Sequence, residues 1–270
     1  MFEYEFMRHA FAAAGLVAAV SGSVGFFLTL RQQTFAGHAL SHLGFTGAMA
    51  ATLAGIAPFW GLIGFTLAAG LAMGALDEKL SGRDVAIGVV LSLSLGVGVL
   101  FMALSAQAVQ VTALLFGSVL GVDAPTLKML ALLSAFTLIA LALMLRPLLF
   151  CTLQPELAQA KGVPVRCVSM LFLALVALTV AACTQIVGAL LVFILMAGPA
   201  AAAQNWTVRW SAGIALAVVC ALACAWGGIA LAYLSNWPTS FWISVLSALA
   251  YGLSLLTGPM RMSHFRNTSD

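Results

Sequence analysis

The chain has 270 residues, of which 63% are hydrophobic and only 7% charged, and its mean hydropathy is +1.11. Soluble domains carry about 25% charged residues and disordered chains are polar, so both classes are excluded. A net charge of +3, with basic residues scattered singly, also excludes a nucleic-acid binder.

A membrane-crossing helix needs about 20 mostly apolar residues. About nine such segments follow one another: roughly 9–30, 38–55, 58–76, 85–107, 124–146, 166–184, 186–204, 210–234 and 238–258. The first follows Glu3, Glu5 and Arg8, not the basic start of a cleaved signal, and is expected to remain as a span. The second is interrupted by small and polar residues, and the sixth and seventh nearly touch. The stretch 108–122 is apolar but too short to cross, which suggests a re-entrant or interfacial segment. The runs are continuous rather than alternating, so the spans are helices and not barrel strands. The expected fold is all-α, a single polytopic transmembrane helical bundle over residues 1–270.

Nine spans place Arg31, Lys79, Arg83, Arg146, Lys161, Arg166, Arg209, Arg261 and Arg266 on one side, and only Arg8 and Lys128 on the other. The basic side faces the cytoplasm by the positive-inside rule, giving an external N-terminus and a cytoplasmic C-terminus. Trp60, Trp206, Trp210, Trp237 and Trp242 fall at span ends, as interfacial aromatics do. Gly70/Gly74 and Gly117/Gly121 are small-residue pairs that permit close helix packing. Five cysteines, Cys151, Cys167, Cys183, Cys220 and Cys224, form no CxxC pair and read as small apolar packing residues.

No Asp, Glu, Lys or Arg falls in the core of any span. Self-powered carriers place ionisable groups there, so the pattern argues against one. No GxxxxGK[ST] is present either, and the chain cannot cradle nucleotide phosphates itself. Three segments carry chemistry. Gly37-His38-Ala39-Leu40-Ser41-His42 places two imidazoles four apart, on one helix face, a spacing that can bind one metal ion or simply pack. It lacks the Glu of HExxH, which excludes an intramembrane zinc protease. The longest basic-side connection, 147–165, contains Gln154-Pro155-Glu156-Leu157-Ala158-Gln159-Ala160-Lys161-Gly162, a short helix that Pro155 starts and Gly162 and Pro164 end. Such a helix either docks into a partner or is an ordinary surface helix. Gly198-Pro199, followed by four alanines, kinks or breaks the seventh span.

Together the three segments resemble the zinc/manganese/iron ABC-transporter permease family, the membrane subunits of metal importers. The resemblance rests on Arg31 followed by Gly37–His42 and Gly47, on Gln154-Pro155-Glu156-Leu157-Ala158…Gly162, and on Val187-Gly188-Ala189-Leu190-Leu191-Val192…Pro199-Ala200. These lie in the family's order and cover nearly the whole chain. The resemblance implies a homodimeric permease of the bacterial inner membrane, surrounded by lipid and without enzymatic activity of its own. Separate cytoplasmic ATPase subunits would supply the energy and an external metal-binding protein the ion. Gln154, Pro155, Glu156, Ala158 and Gly162 would form the coupling helix. Ser41, His38, His42 and Pro199 would line the path of a transported ion, with no permanently bound cofactor.

His38 stands where the family usually has an acidic residue. A His/His set favours zinc over manganese or iron. Gln154 stands where Asp is common, which lowers the charge at the docking helix. Two other readings stay open: a membrane metalloenzyme or sensor using the His pair, and a permease of this architecture for a metal chelate.

Overall fold

The computed structural model describes residues 5–76, 83–104, 117, 121–189 and 192–258. Ten helices account for the regular structure among them: α1 (Glu5–Leu30), α2 (Thr34–Leu53), α3 (Pro58–Ala75), α4 (Arg83–Leu104), α5 (Ala124–Leu153), α6 (Pro155–Ala160), α7 (Val165–Val187), α8 (Val192–Trp206), α9 (Trp210–Ser235) and α10 (Thr239–Thr257). Nine of them coincide with the nine segments read from the sequence. Seven of the nine are long and apolar enough to cross a membrane; α2 and α8 are not among these. Most of 108–122, with Lys79, Arg261 and Arg266, lies outside the described residues.

Three boundaries correct the sequence reading. The second segment is an unbroken 20-residue helix despite its glycines and histidines. α5 does not stop at Arg146 but runs through Pro147 to Leu153. At 30 residues it is about 45 Å long, against a hydrocarbon core of about 30 Å. α8 runs through Pro199 without a break. The interruption falls earlier, at Gly188, whose φ of 85° and ψ of 155° belong to a region essentially restricted to glycine. A proline forfeits one hydrogen bond but keeps a helical φ, whereas Gly188 leaves the helical region altogether.

Long-range contacts fix which helix ends lie together. At one end Arg31 Nη2 donates to Ser169 Oγ at 2.6 Å, and Arg166 Nε donates to the Ala75 carbonyl at 2.8 Å. There too Gln204 Nε2 donates to Thr29 Oγ1 at 2.7 Å, and Trp206 Nε1 to Thr257 Oγ1 at 2.8 Å. The ends of α1, α3, α8 and α10 and the starts of α7 and α9 therefore share one end of the bundle, which is the arginine-rich one. The N-terminal turn of α1 lies at the other end, where Glu5, Arg8 and His9 share a cavity of about 350 Å³ with Leu127 at the start of α5.

α1 is the hub and packs against α5, α7, α8 and α9. Small residues make this possible, since lipid tails are as apolar as leucine and close backbone approach drives packing instead. A Cβ on Gly25 would collide with the Met196 carbonyl of α8, and one on Gly22 would stand 2.7 Å from Val218 Cα of α9. α2 and α3 cross where Gly47 and Gly61 each face the other's carbonyl oxygen. Gly70 and Gly74, the pair noted in the sequence, seat α3 on α7: Cβ atoms there would lie 2.7 Å from the Leu173 carbonyl oxygen and 2.5 Å from Met170 Cα. Cys183 is fully buried with its sulfur 2.9 Å from Ser21 Oγ, joining α7 to α1.

Candidate functional site

The site is assembled on α2 by the turn that precedes it. α1 ends in a Schellman motif: the Gln32 amide donates to the Thr29 carbonyl at 3.1 Å and the Gln33 amide to the Leu28 carbonyl at 2.9 Å. Gln32 takes the left-handed position with φ of 56°. The chain reverses within three residues and enters α2, which brings Gly37 against Leu28. His38 and His42 follow on one face of α2, one turn apart. Their rings meet edge to face, with centroids 4.7 Å apart at 87°. Phe193, in the first turn of α8, meets His38 in the same manner at 5.2 Å and 70°.

Both histidines are half-buried, and His38 Nδ1 is buried without a hydrogen-bond partner. An imidazole held this way keeps a nitrogen available to a cation rather than spending it on a neighbour. Ser41, fully buried beside them, donates its hydroxyl back to the His38 carbonyl at 2.7 Å. That bond ties Ser41 to the turn that carries His38 and uses the hydroxyl proton, not the oxygen lone pairs. Among the described residues no group of three or more His, Cys, Asp and Glu gathers here or elsewhere. Two donors are too few for the closed tetrahedral set of a structural zinc site and one short of the three protein ligands of a catalytic one.

One turn beyond His42, Thr46 Oγ1 donates to the Ser94 carbonyl at 2.8 Å and receives the Ser94 hydroxyl at 2.9 Å. This clasp fastens α4 to α2, and Gly98 allows it, since a Cβ there would stand 2.8 Å from Thr46 Oγ1. Neither Phe193 nor the clasp was visible in the sequence. An aromatic and a Thr/Ser pair are ordinary membrane-helix residues until the fold brings them to the histidines. Pro199 is buried within α8, two turns from Phe193, and Gly198 packs on Ser247 of α10.

The second group of sequence candidates lies elsewhere. α5 carries the chain out beyond Arg146, and Gln154 joins it to the six-residue α6. Pro155 occupies the first turn, where its missing amide costs nothing. Gln154, Pro155 and Glu156 are exposed, whereas Ala158 is fully buried against the rest of the chain. A second Schellman motif closes α6: the Gly162 amide donates to the Gln159 carbonyl and the Val163 amide to the Ala158 carbonyl, each at 3.0 Å. Gly162 has φ of 76° and open space around it. Lys161 lies over the Phe150 ring at 5.8 Å. α6 is thus a pinned knob whose outer face, including Glu156, is exposed.

A model of the ABC 3 transport family matches residues 3–258, nearly the whole chain. The chain belongs to the ABC 3 transport family. An uncharacterised membrane protein of Synechocystis sp. is 30% identical over 94% of this chain and 91% of its own length. The manganese transport system membrane protein MntC of Halalkalibacterium halodurans is 29% identical over 96% of this chain and 89% of its own. Among solved structures, PsaBC from Streptococcus pneumoniae in complex with Fab superposes with a TM-score of 0.87 at 25% identity, covering 96% of this chain and 94% of that one. The protein is a multi-pass bacterial membrane protein and a transport permease, not an enzyme.

Proposed function

We propose that this permease forms the translocation path of an ATP-driven importer of divalent metal ions. The arginine-rich end faces the cytoplasm, and the N-terminus lies outside. Two copies pair so that His38 and His42 of each line a shared path. The segment 147–165, with Gln154, Pro155, Glu156, Ala158 and Gly162, docks into ATPase subunits as the coupling helix. An external metal-binding protein delivers the ion. ATP binding and hydrolysis displace α6 and rock the helices, so that the path opens to each side in turn.

The observation that carries this reading is the His pair, half-buried, one turn apart, with His38 Nδ1 unpartnered. Conduction needs a site favourable enough to enter and weak enough to leave. Two imidazoles per chain, with no carboxylate grouped beside them among the described residues, suit that requirement. The same scarcity of ligands weighs against a resident metal and hence against the metalloenzyme reading.

Zinc is the cargo that this donor set favours, because imidazole nitrogen suits zinc and manganese prefers oxygen. Manganese is the second reading. It is favoured by relatives named as manganese transporters, including MntC and the manganese import system permease protein ScaB of Streptococcus parasanguinis. Uptake of zinc and of manganese by vesicles holding the complete transporter decides between them. His42→Ala should lower uptake of the favoured ion by about tenfold or more, the effect of losing about 1.4 kcal/mol. Undiminished uptake would remove the pair from the path.

A further inference from the structure

We infer that Arg31 is a positioning residue that carries displacement of α6 to the His-bearing helix α2, an inference resting on the reading of α6 as the ATPase-docking helix. Arg31 ends α1 at the same end of the bundle as α6. Its guanidinium grips one face of α7 twice: Nη2 donates to Ser169 Oγ at 2.6 Å, and Cζ lies 5.5 Å over the Phe172 ring. Ser169 and Phe172 are three apart on the same helix face and both are buried. They belong to the first two turns of α7, which follow α6 after only Lys161–Pro164.

On the far side of Arg31 the connection to the site is equally short. Gln32 makes the left-handed turn, Gln33 is buried, and α2 starts at Thr34. Leu28, in the last turn of α1, packs directly on Gly37, the neighbour of His38. α8 holds the opposite side of this elbow, where Gln204 Nε2 donates to the Phe26 carbonyl at 2.8 Å and to Thr29 Oγ1 at 2.7 Å. The elbow is therefore clamped between the helix that leaves α6 and the helix that carries Phe193. A shift of the α7 start pulls the elbow through a planar, multi-donor side chain. A lysine, with a compact ammonium on a flexible stem, reproduces the charge but not the fork.

Two further features support a relay over a simple tether. α6 is fixed to α5 and α7 by buried Ala158, the Val163 amide bond and Lys161 over Phe150, so it cannot move without taking its neighbours. α7 also grips the end of α3 through Arg166 and the Ala75 carbonyl, and α3 in turn packs on α2 at Gly47 and Gly61. The start of α7 thus holds α2 by two routes, and Arg31 is the one nearest the histidines.

The test uses the complete transporter, permease with its ATPase subunits and delivering protein, in vesicles. ATP hydrolysis and zinc or manganese uptake are measured on the same sample. Arg31→Ala should lower ions moved per ATP hydrolysed by about tenfold while hydrolysis stays within about twofold; Arg31→Lys should fall between it and the parent. Ser169→Ala, which deletes one hydroxyl and keeps the helix, should lower the ratio by about threefold. A merely structural role would lower uptake and hydrolysis together, in proportion to the complex assembled, and would overturn the inference. An unchanged ratio in both Arg31→Ala and Ser169→Ala would also overturn it. Glu156→Ala separates the two readings. If it uncouples and Arg31→Ala does not, the relay fails while the docking helix stands. If Arg31→Ala uncouples and α6 substitutions do not, the docking reading fails and takes the proposed route with it.

Discussion

Helices α1 and α4 are both apolar and of similar length, yet they occupy opposite environments. The apolar window of α1 has a mean hydropathy of 1.9 and is 72% buried in protein; that of α4 reaches 2.5 and is only 17% buried. In water the more apolar helix would be the inner one. In a bilayer the ranking inverts, because lipid accepts Val85, Val89 and Leu93 of α4 as readily as protein does. What draws α1 inward is its set of alanines, glycines and serines, which let backbones meet. The helices that fall outside the membrane-crossing set, α2 and α8, are the ones that build the site. Hydropathy alone does not set burial here, since α7 has a mean hydropathy of 2.4, close to that of α4, and is 72% buried.

That contrast can be broken most severely at a small-residue contact. Gly25→Val forces a side chain into the Met196 carbonyl and should destabilise by about 3 kcal/mol, seen as loss of folded protein in thermal unfolding in detergent. Next comes His38→Asp, which leaves packing largely alone and changes the donor set. The ratio of manganese to zinc uptake should rise by about tenfold, equivalent to about 1.4 kcal/mol. An unchanged ratio would show that His38 does not select the ion.

Thr46→Val removes the hydroxyl that fastens α4 to α2. A loss of about 0.6 kcal/mol, at most about 1.7, is expected in the same unfolding measurement. On the outer face of α5, Leu143→Ala should change stability by less than about 0.5 kcal/mol despite removing a large apolar side chain. A larger loss would show that protein, not lipid, covers that face. The smallest effect belongs to Asp123. Its carboxylate accepts the Thr126 amide at 3.1 Å, and hydrogen bonding from Thr126 holds its pKa below the ordinary value of 3.8. A lowered folded value means the cap's contribution is complete above pH 3.8 and is lost as pH falls through the lowered value. The protection of the Thr126 amide, its exchange relative to the intrinsic rate at the same pH, should fall over that acid range and be constant above it.

Much of the bundle was legible in the sequence because each membrane helix must satisfy its own backbone, so apolar length alone locates it. The short helix α6 was legible too, from Pro155 and Gly162. The extension of α5 to Leu153 was hidden because Arg146-Pro147 reads as a stop, although Pro147 is tolerated inside the helix. Pro199 drew attention away from Gly188 for a related reason, since a proline announces itself whereas a glycine's φ is known only from the fold. The His pair was legible as a spacing. Phe193, the Thr46–Ser94 clasp and the Arg31–Ser169 bond were not, because each joins residues that are far apart in the chain.

The facing glycines at Gly47 and Gly61 have a mechanical consequence. Where backbone meets backbone there is no side-chain cushion to rearrange, so α2 cannot turn about its own axis without prising α3 away. The Gly70 and Gly74 contacts impose the same restriction between α3 and α7. The three helices thereby meet backbone to backbone as a single panel. The imidazoles sit on that panel near the end at which α2 starts, the end that α6 shares.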